Sequence, residues 1–209
     1  NKRGAFTMTT VTCRFAMSLD GYIAGPHQSA SDPFGEGGLE LCNWMFQTKN
    51  PGRQGDQDVI DEAEAGIGAF VMGRNMFGPD RGEWDLEWTG WWGEDTPYHV
   101  PSFVLSHHPR EALTMKGGNT FTFVTDGVAS ALEQATAAAG DKKVAIGGGA
   151  ATARQFLAAG LIDELYLHIV PITLGAGERL FDGLGDFKAE PVKVSSSPAV
   201  THIKYEIVH

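Results

Sequence analysis

An α/β fold built on a mostly parallel sheet is what this sequence predicts, and three features predict it. Short apolar runs alternate with segments of helical period: Ala69–Met72, Phe103–Leu105, Phe121–Thr125, Val128–Ala139 and Val144–Ile146. Two of the runs pass straight into glycine-bearing turns, Gly73-Arg74-Asn75 and Gly147-Gly148-Gly149, the second followed by an alanine-rich helical segment to Ala159. The chain then closes on two strand-like runs, Val192–Ser195 and Ile203–Val208, as an antiparallel hairpin would.

At 209 residues, 42% of them hydrophobic and 20% charged, the chain suits a single domain with a substantial core. That domain is expected over residues 8–209; residues 1–7 read as a cloning remnant ahead of a native start at Met8 and are left out of the fold reasoning. A formal net charge of −10 repels nucleic acid and anionic membranes, so neither is expected as a partner. Any bound phosphate must then rely on backbone N–H groups and a few local cations. Cys13 and Cys42 are far apart and belong to no CxxC motif, which argues against zinc or a disulfide framework and for a reducing, cytoplasmic setting. Cys13 reads as a small buried apolar residue. No run of about 18 apolar residues offers a spanning helix.

In chain order, Thr9–Met17 is the first strand, and Ser18-Leu19-Asp20-Gly21-Tyr22-Ile23-Ala24 leaves it through a turn. The polar stretch from Gln28 to Gly38 is a long loop of the kind that covers a site. Leu39–Phe46 is a short amphipathic helix candidate carrying Trp44. A second helix is expected over Asp58–Ala65 with Asp58 as its N-cap, and a third over Val128–Ala139 with Asp126 as cap and Gly140 as stop. From Asp80 to Pro101 the chain is dense in Trp and Gly without a clean period. Leu165–Val170 alternates as a strand and ends at Pro171.

Ligands of open α/β sheets sit outside the carboxyl ends of the strands. Three such ends carry related chemistry here: Gly73-Arg74, Ser106-His107-His108 and Gly147-Gly148-Gly149. The triple glycine has two readings, a plain tight turn or a backbone cradle for an anion at a helix N-terminus. A GxGxxG fingerprint with its downstream acid is absent, so this is not the Rossmann motif.

Ser18–Ala24, Val71-Met72-Gly73-Arg74, the triple glycine and Leu174-Gly175-Ala176-Gly177 together resemble the dihydrofolate reductase superfamily. The closer branch is the one holding the reductase domain of bacterial riboflavin biosynthesis (RibD C-terminal domain). The resemblance runs from Thr9 to Val208. It implies a dihydrofolate-reductase-like three-layer α/β fold with an antiparallel C-terminal hairpin, and an NADPH-dependent reductase acting on a small heterocyclic or carbonyl substrate. It implies Gly73, Arg74 and Asn75 at the pyrophosphate and 2′-phosphate side, and Ser106 with His107 or His108 at the adenosine 2′-phosphate. It further implies Gly147, Gly148, Gly149, Ala150 and Ala151 at the pyrophosphate, with Ala16 and Ile23 lining the nicotinamide pocket. An arginine suits phosphate because its guanidinium gives forked, charge-assisted bonds.

The departures concern the substrate side. Folate reductases carry a carboxylate in the first helix, and neither Glu40 nor Asn43 aligns with it, which disfavours folate. From Gly21 to Gly52 the only cation is Lys49, which disfavours a phosphorylated substrate. Asp20 and Glu40 are the candidate catalytic carboxylates, Asp20 having the equal reading of a turn aspartate. Trp44 and Trp84 are candidate substrate-pocket residues, although the Trp-rich segment reads equally as a dimer contact, and a homodimer is expected. No metal is expected, since the histidines lack ligand spacing. A non-catalytic NADPH-binding or interaction protein of the same fold is the main alternative; a hydrolase built on Ser106 lacks a GxSxG elbow.

Overall fold

The structure, a computed structural model, describes residues 8–209; the expected remnant at residues 1–7 lies outside the described residues. Its main sheet has nine strands in the order β10-β11-β8-β1-β7-β3-β4-β6-β5. In chain order these are β1 (Val11–Ser18), β3 (Ile67–Gly73), β4 (Ser102–Leu105), β5 (Leu113–Thr114), β6 (Thr120–Val124), β7 (Lys143–Ile146), β8 (Glu164–Val170), β10 (Ala189–Ser197) and β11 (Val200–Ile207). A separate two-stranded sheet joins β2 (Tyr22–Ala24) to β9 (Glu178–Arg179). The helices are α1 (Gln54–Glu64), α2 (Arg74–Phe77), α3 (Val128–Ala139) and α4 (Ala150–Ala158). The expected α/β class is the observed one, and the C-terminal strands β10 and β11 pair antiparallel from Ala189↔Ile207 to Ser197↔Val200.

The chain divides into two compact units, each made of separated segments: one holds the chain up to Thr12 with Gly66–Gly149, the other Cys13–Ala65 with Ala150–His209. In the first unit β7, β3, β4 and β6 run parallel, and β5 returns antiparallel beside β6. Parallel strands need both faces covered, and β3, β4 and β7 are accordingly near-continuous apolar runs; Ala69, Val71, Met72 and Val104 are fully buried. α3 presents Ala131, Ala135 and Ala139 as its buried face, an i, i+4, i+8 stripe of small residues that allows close approach to the strands. A second apolar cluster gathers Met72, Phe77, Val104 and Phe121, with Trp84, Trp88, Trp92 and Tyr98 packed against it. That cluster explains the missing period of residues 80–101: its aromatics are anchored one by one by tertiary contacts. Trp92 stacks on Phe121 at 12° and Trp88 donates to the Phe77 carbonyl at 2.9 Å.

In the second unit, β11 pairs antiparallel with β8 from Thr201↔Ile169 to Glu206↔Glu164. A core cluster of Leu41, Trp44, Val170 and Val200 lies here, with Ala16, Cys42 and Leu174 against it. Three local expectations are corrected. Leu39–Phe46 is not one helix but two 3-10 turns, Gly38–Leu41 and Asn43–Gln47, interrupted at Cys42. α1 begins at Gln54, four residues before Asp58, and its N-terminus has no side-chain cap bond. α3 is capped by Gly127 at φ 99 with no side-chain cap bond, so Asp126 is not its cap; Gly140 does end it. Cys13 is 1% exposed, and burial pushes its thiol far up, as an inert core residue requires.

Candidate functional site

Within the first unit the parallel register brings three of the expected segments to one edge of the sheet. Val71 pairs with Ile146 and Gly73 with Leu105, so the turns after β7, β3 and β4 emerge side by side across about 10 Å, two strand spacings. Gly147 and Gly148 are tied to β3: the Gly147 N–H donates to the Val71 carbonyl at 2.7 Å, and the Gly73 N–H to the Gly148 carbonyl at 2.9 Å. The Gly148 N–H donates to the Met76 thioether at 3.1 Å. The Gly148–Gly149 peptide is cis.

Glycine is required at 147 on steric grounds. A Cβ there would stand 2.8 Å from both Met76 Sδ and Phe70 Cε1, whereas one at Gly149 would meet nothing within 4 Å. The turn is therefore packed on its inner side and open on its outer side. Immediately after it, α4 begins at Ala150, and the first turn of a helix leaves backbone N–H groups without intrahelical partners. No acidic residue occupies that first turn. With the Gly147 and Gly148 N–H groups already paired, the donor set for an anion such as a pyrophosphate is Gly149, with open space around it, and the first amides of α4, and these fit one.

Arg74 opens α2 after Gly73, but its guanidinium is turned onto the Trp-rich segment. Nη1 donates to the Gly82 carbonyl at 2.5 Å, Nη2 to the Glu83 carbonyl at 3.3 Å, and the group lies 3.8 Å over the Trp84 ring. Its Nε is buried without a hydrogen-bond partner among the described residues. Burial lowers its pKa from the ordinary arginine value. A second cation, Arg110, stands 5.3 Å from the same indole and donates to the Leu86 carbonyl at 3.1 Å. Trp84 itself donates to the His108 carbonyl at 2.8 Å and packs edge-on to Phe77 and Phe123. Trp84, expected at a substrate pocket, lies against both Arg74 and Arg110 and packs into the aromatic cluster. Ser106 closes its turn by accepting the His108 N–H at 3.0 Å, and His108 lies 3.3 Å from Glu83. Asn75 and His107 are exposed. Arg110 was missed by sequence reasoning; its proximity to Ser106–His108 was the available signal.

The second unit holds the remaining expected residues. Ala16 lies on β1 and Ile23 on β2, both half-buried; Ala150 is buried at the start of α4, with Ala151 exposed beside it. Asp20 is a clamp between two motifs. Ser18 Oγ donates to Oδ1 at 2.5 Å, the Leu174 N–H to Oδ1 at 3.1 Å and the Gly175 N–H to Oδ2 at 2.8 Å. The Ser18 bond, opposed by partial burial and joined by the two backbone donors, holds the carboxyl down to about 2. Asp20 is accordingly an ionised acceptor at neutral pH with no proton to give. Its stabilising effect is present above the ordinary aspartate range and is lost only as pH falls through about 2. Replacing it with asparagine is expected to speed amide exchange at Leu174 and Gly175 relative to β8, which hydrogen-exchange NMR reads directly.

Glu40 is exposed on its 3-10 turn. Trp44, the other expected pocket residue, is only 3% exposed; it is a core side chain packed against both His168 and His202. Those two histidines and their partner Asp56 were not singled out in the sequence, because the register that joins them is invisible there.

The family model that matches this chain, over residues 9–203, is the RibD C-terminal domain. The chain belongs to the RibD C-terminal domain family. Solved structures with this fold include a protein ascribed to riboflavin biosynthesis from Shewanella sp. PV-4, at 24% identity and a TM-score of 0.63 over 96% of this chain and 100% of that one. A dihydrofolate reductase from Enterococcus faecalis, complexed with NADP(H), matches at 15% identity and a TM-score of 0.56 over 96% of this chain and 97% of that one. RibD from Acinetobacter baumannii matches at 18% identity and a TM-score of 0.57; this chain is covered over 96% of its length and that one over 58%. No curated protein sequence matches the chain. Among the described residues no helix is long and apolar enough to cross a membrane, and no cluster of His, Cys, Asp and Glu could hold a metal ion.

Proposed function

We propose that this RibD C-terminal domain protein is an NADPH-dependent reductase that transfers a hydride to a small heterocyclic or carbonyl substrate. The observation that carries the reading is the edge of the first unit, where the glycine turn open at Gly149, the Gly73-Arg74 turn and the Ser106–His108 turn lie on adjacent parallel strands. The Gly149, Ala150 and Ala151 N–H groups would hold the pyrophosphate, with Gly147 and Gly148, whose own N–H groups are tied to β3 and Met76, shaping the turn beneath it, and Ser106 with Arg74 and Arg110 would face the 2′-phosphate. The bound nicotinamide supplies the hydride; the chain's own contribution is to bind, orient and exclude water. A homodimer belongs to the same reading, checked by sedimentation velocity.

Arg74→Ala is the first test. As a 2′-phosphate ligand, Arg74 discriminates between cofactors, and its loss is expected to weaken NADPH binding by about tenfold or more while NADH changes little. Equal losses for both cofactors would assign Arg74 to fixing the Trp84 segment alone.

A second reading, a cofactor-binding protein without catalysis, is favoured by one observation: Asp20 is fully engaged as an ionised acceptor and cannot serve as the acid. Oxidation of bound NADPH by a panel of pterins, quinones and carbonyl compounds distinguishes the two. Turnover with any of them supports the reductase; binding without turnover across the panel supports the second reading.

A further inference from the structure

A buried polar chain in the second unit lies outside the proposed cofactor chemistry. His168 on β8 and His202 on β11 are direct cross-strand partners, 2% and 4% exposed. Their Nδ1 atoms are 2.8 Å apart. His202 Nε2 lies 2.8 Å from Asp56 Oδ1, and Asp56 Oδ2 accepts from Arg53 Nε and, at 2.9 Å, from the Ser197 hydroxyl. Trp44 packs on both imidazoles, with centroids 4.9 and 5.0 Å away. The chain thus touches α1, β8, β10, β11 and the second 3-10 turn.

Hydrogen-bond direction assigns the protons. An ionised carboxylate only accepts. Burial pushes the Asp56 carboxyl up, but the bonds from His202, Arg53 and Ser197 together outweigh it and hold it below the ordinary value. His202 therefore donates from Nε2, and when neutral it offers a lone pair at Nδ1. His168 must then donate from Nδ1, which leaves its Nε2 as a bare acceptor. That atom is buried and has no hydrogen-bond partner among the described residues.

One more proton does not fit this arrangement. Placed on His202 Nδ1, it either sets two N–H groups against each other across 2.8 Å or drives the His168 proton to Nε2, a buried atom with no acceptor among the described residues. Placed on His168 Nε2, it would create a buried imidazolium in the field of Arg14. Burial first, then the positive charge of Arg14, keeps His168 well below the ordinary histidine value, with Asp56 opposing them. The other charged neighbours are already paired: Arg14 with Glu64 at 3.0 Å, Arg53 with Asp56, Lys193 with Glu62, and Lys204 with Glu164 at 3.3 Å beside Tyr166.

We propose that the Asp56–His202–His168 chain is an acid-triggered latch: in its neutral form it ties α1 and the Trp44-bearing turn to the sheet, and uptake of one proton by the histidine pair opens the Nδ1–Nδ1 bond and frees Trp44. The latch stands independently of the cofactor reading. In the unfolded chain an imidazole titrates near about 6.5, so below that pH the unfolded state binds a proton that folded His168 refuses. The stability that the neutral pair contributes is complete above that value. It falls as pH drops below it, by up to about tenfold in the folding equilibrium constant per pH unit from His168.

Ring 15N chemical shifts of the wild-type protein at neutral pH test the proton assignment without any substitution. The expected pattern is N–H at His202 Nε2 and His168 Nδ1, both rings neutral; a proton on His168 Nε2, or a charged ring, overturns the latch. His168→Gln, whose amide can still donate to His202 Nδ1 but cannot titrate, is expected to lose the steepening of urea-unfolding stability below about pH 6.5. A pH slope equal to that of the wild type overturns the proposal. Should the variant not fold, the ring-shift assignment decides alone.

Discussion

Asp56→Ala is expected to cost about 3–5 kcal/mol of folding stability, because it strips one partner from a buried charged network. The carboxylate is 1% exposed and receives Arg53, His202 and Ser197 at once. Removing it leaves the Arg53 guanidinium, itself mostly buried, without a counter-charge. It also leaves the His202 Nε2–H without an acceptor, so the desolvation of three polar groups is no longer offset. For a chain of this size the expected loss corresponds to a fall in Tm of roughly 6–20 °C. Asp58→Ala, two residues along the same helix but exposed, is the control; its effect should stay within about 0.5 kcal/mol. Thermal unfolding of the pair would show whether burial or mere helix charge sets the cost. Equal small effects would mean that the network does not hold α1.

Gly177→Ala is the second large effect. The residue closes the Leu174-Gly175-Ala176-Gly177 motif immediately before β9, and its φ is +131°. A Cβ there would stand 2.0 Å from the Ala24 carbonyl oxygen and 3.0 Å from the Gly25 carbonyl carbon. Both are backbone atoms, so no side chain can swing aside, and relief requires β2 and β9 to part. The expected cost is about 3 kcal/mol or more, from overpacking added to an unfavourable φ. Gly183→Ala supplies the comparison: φ is +72° with nothing within 4 Å, so only a backbone cost of about 1 kcal/mol is expected. Hydrogen exchange at Tyr22 and Ala24 should rise in the first variant and not in the second.

What the sequence made legible followed from local chemistry. β3, β4 and β7 were visible as apolar runs ending in glycine or serine turns, because strands buried on both faces carry no polar alternation. The turn at Ser18–Tyr22 was visible because serine, aspartate and glycine each have a turn role, and the Gly21 N–H does return to the Ser18 carbonyl at 3.1 Å. The start of α1 was hidden, since Gln54-Gly55-Asp56-Gln57 has no cap signal and weak helix propensity; a buried tertiary network holds that turn. Trp44 and Trp84 were legible as important aromatics but not as to purpose. One is packed against a histidine pair, the other against two arginines, and both settings depend on strand register. The candidate site was legible in its glycine turns and silent on Arg110 for the same reason.

Binding of NADPH itself tests the central claim most directly. Tryptophan emission should report it, because Trp84 lies against Arg74 and Arg110 beside the Ser106–His108 turn. Titration is expected to saturate at micromolar NADPH, a binding free energy of about −8 kcal/mol, with NADH weaker. Absence of saturation up to millimolar NADPH would contradict the cofactor site.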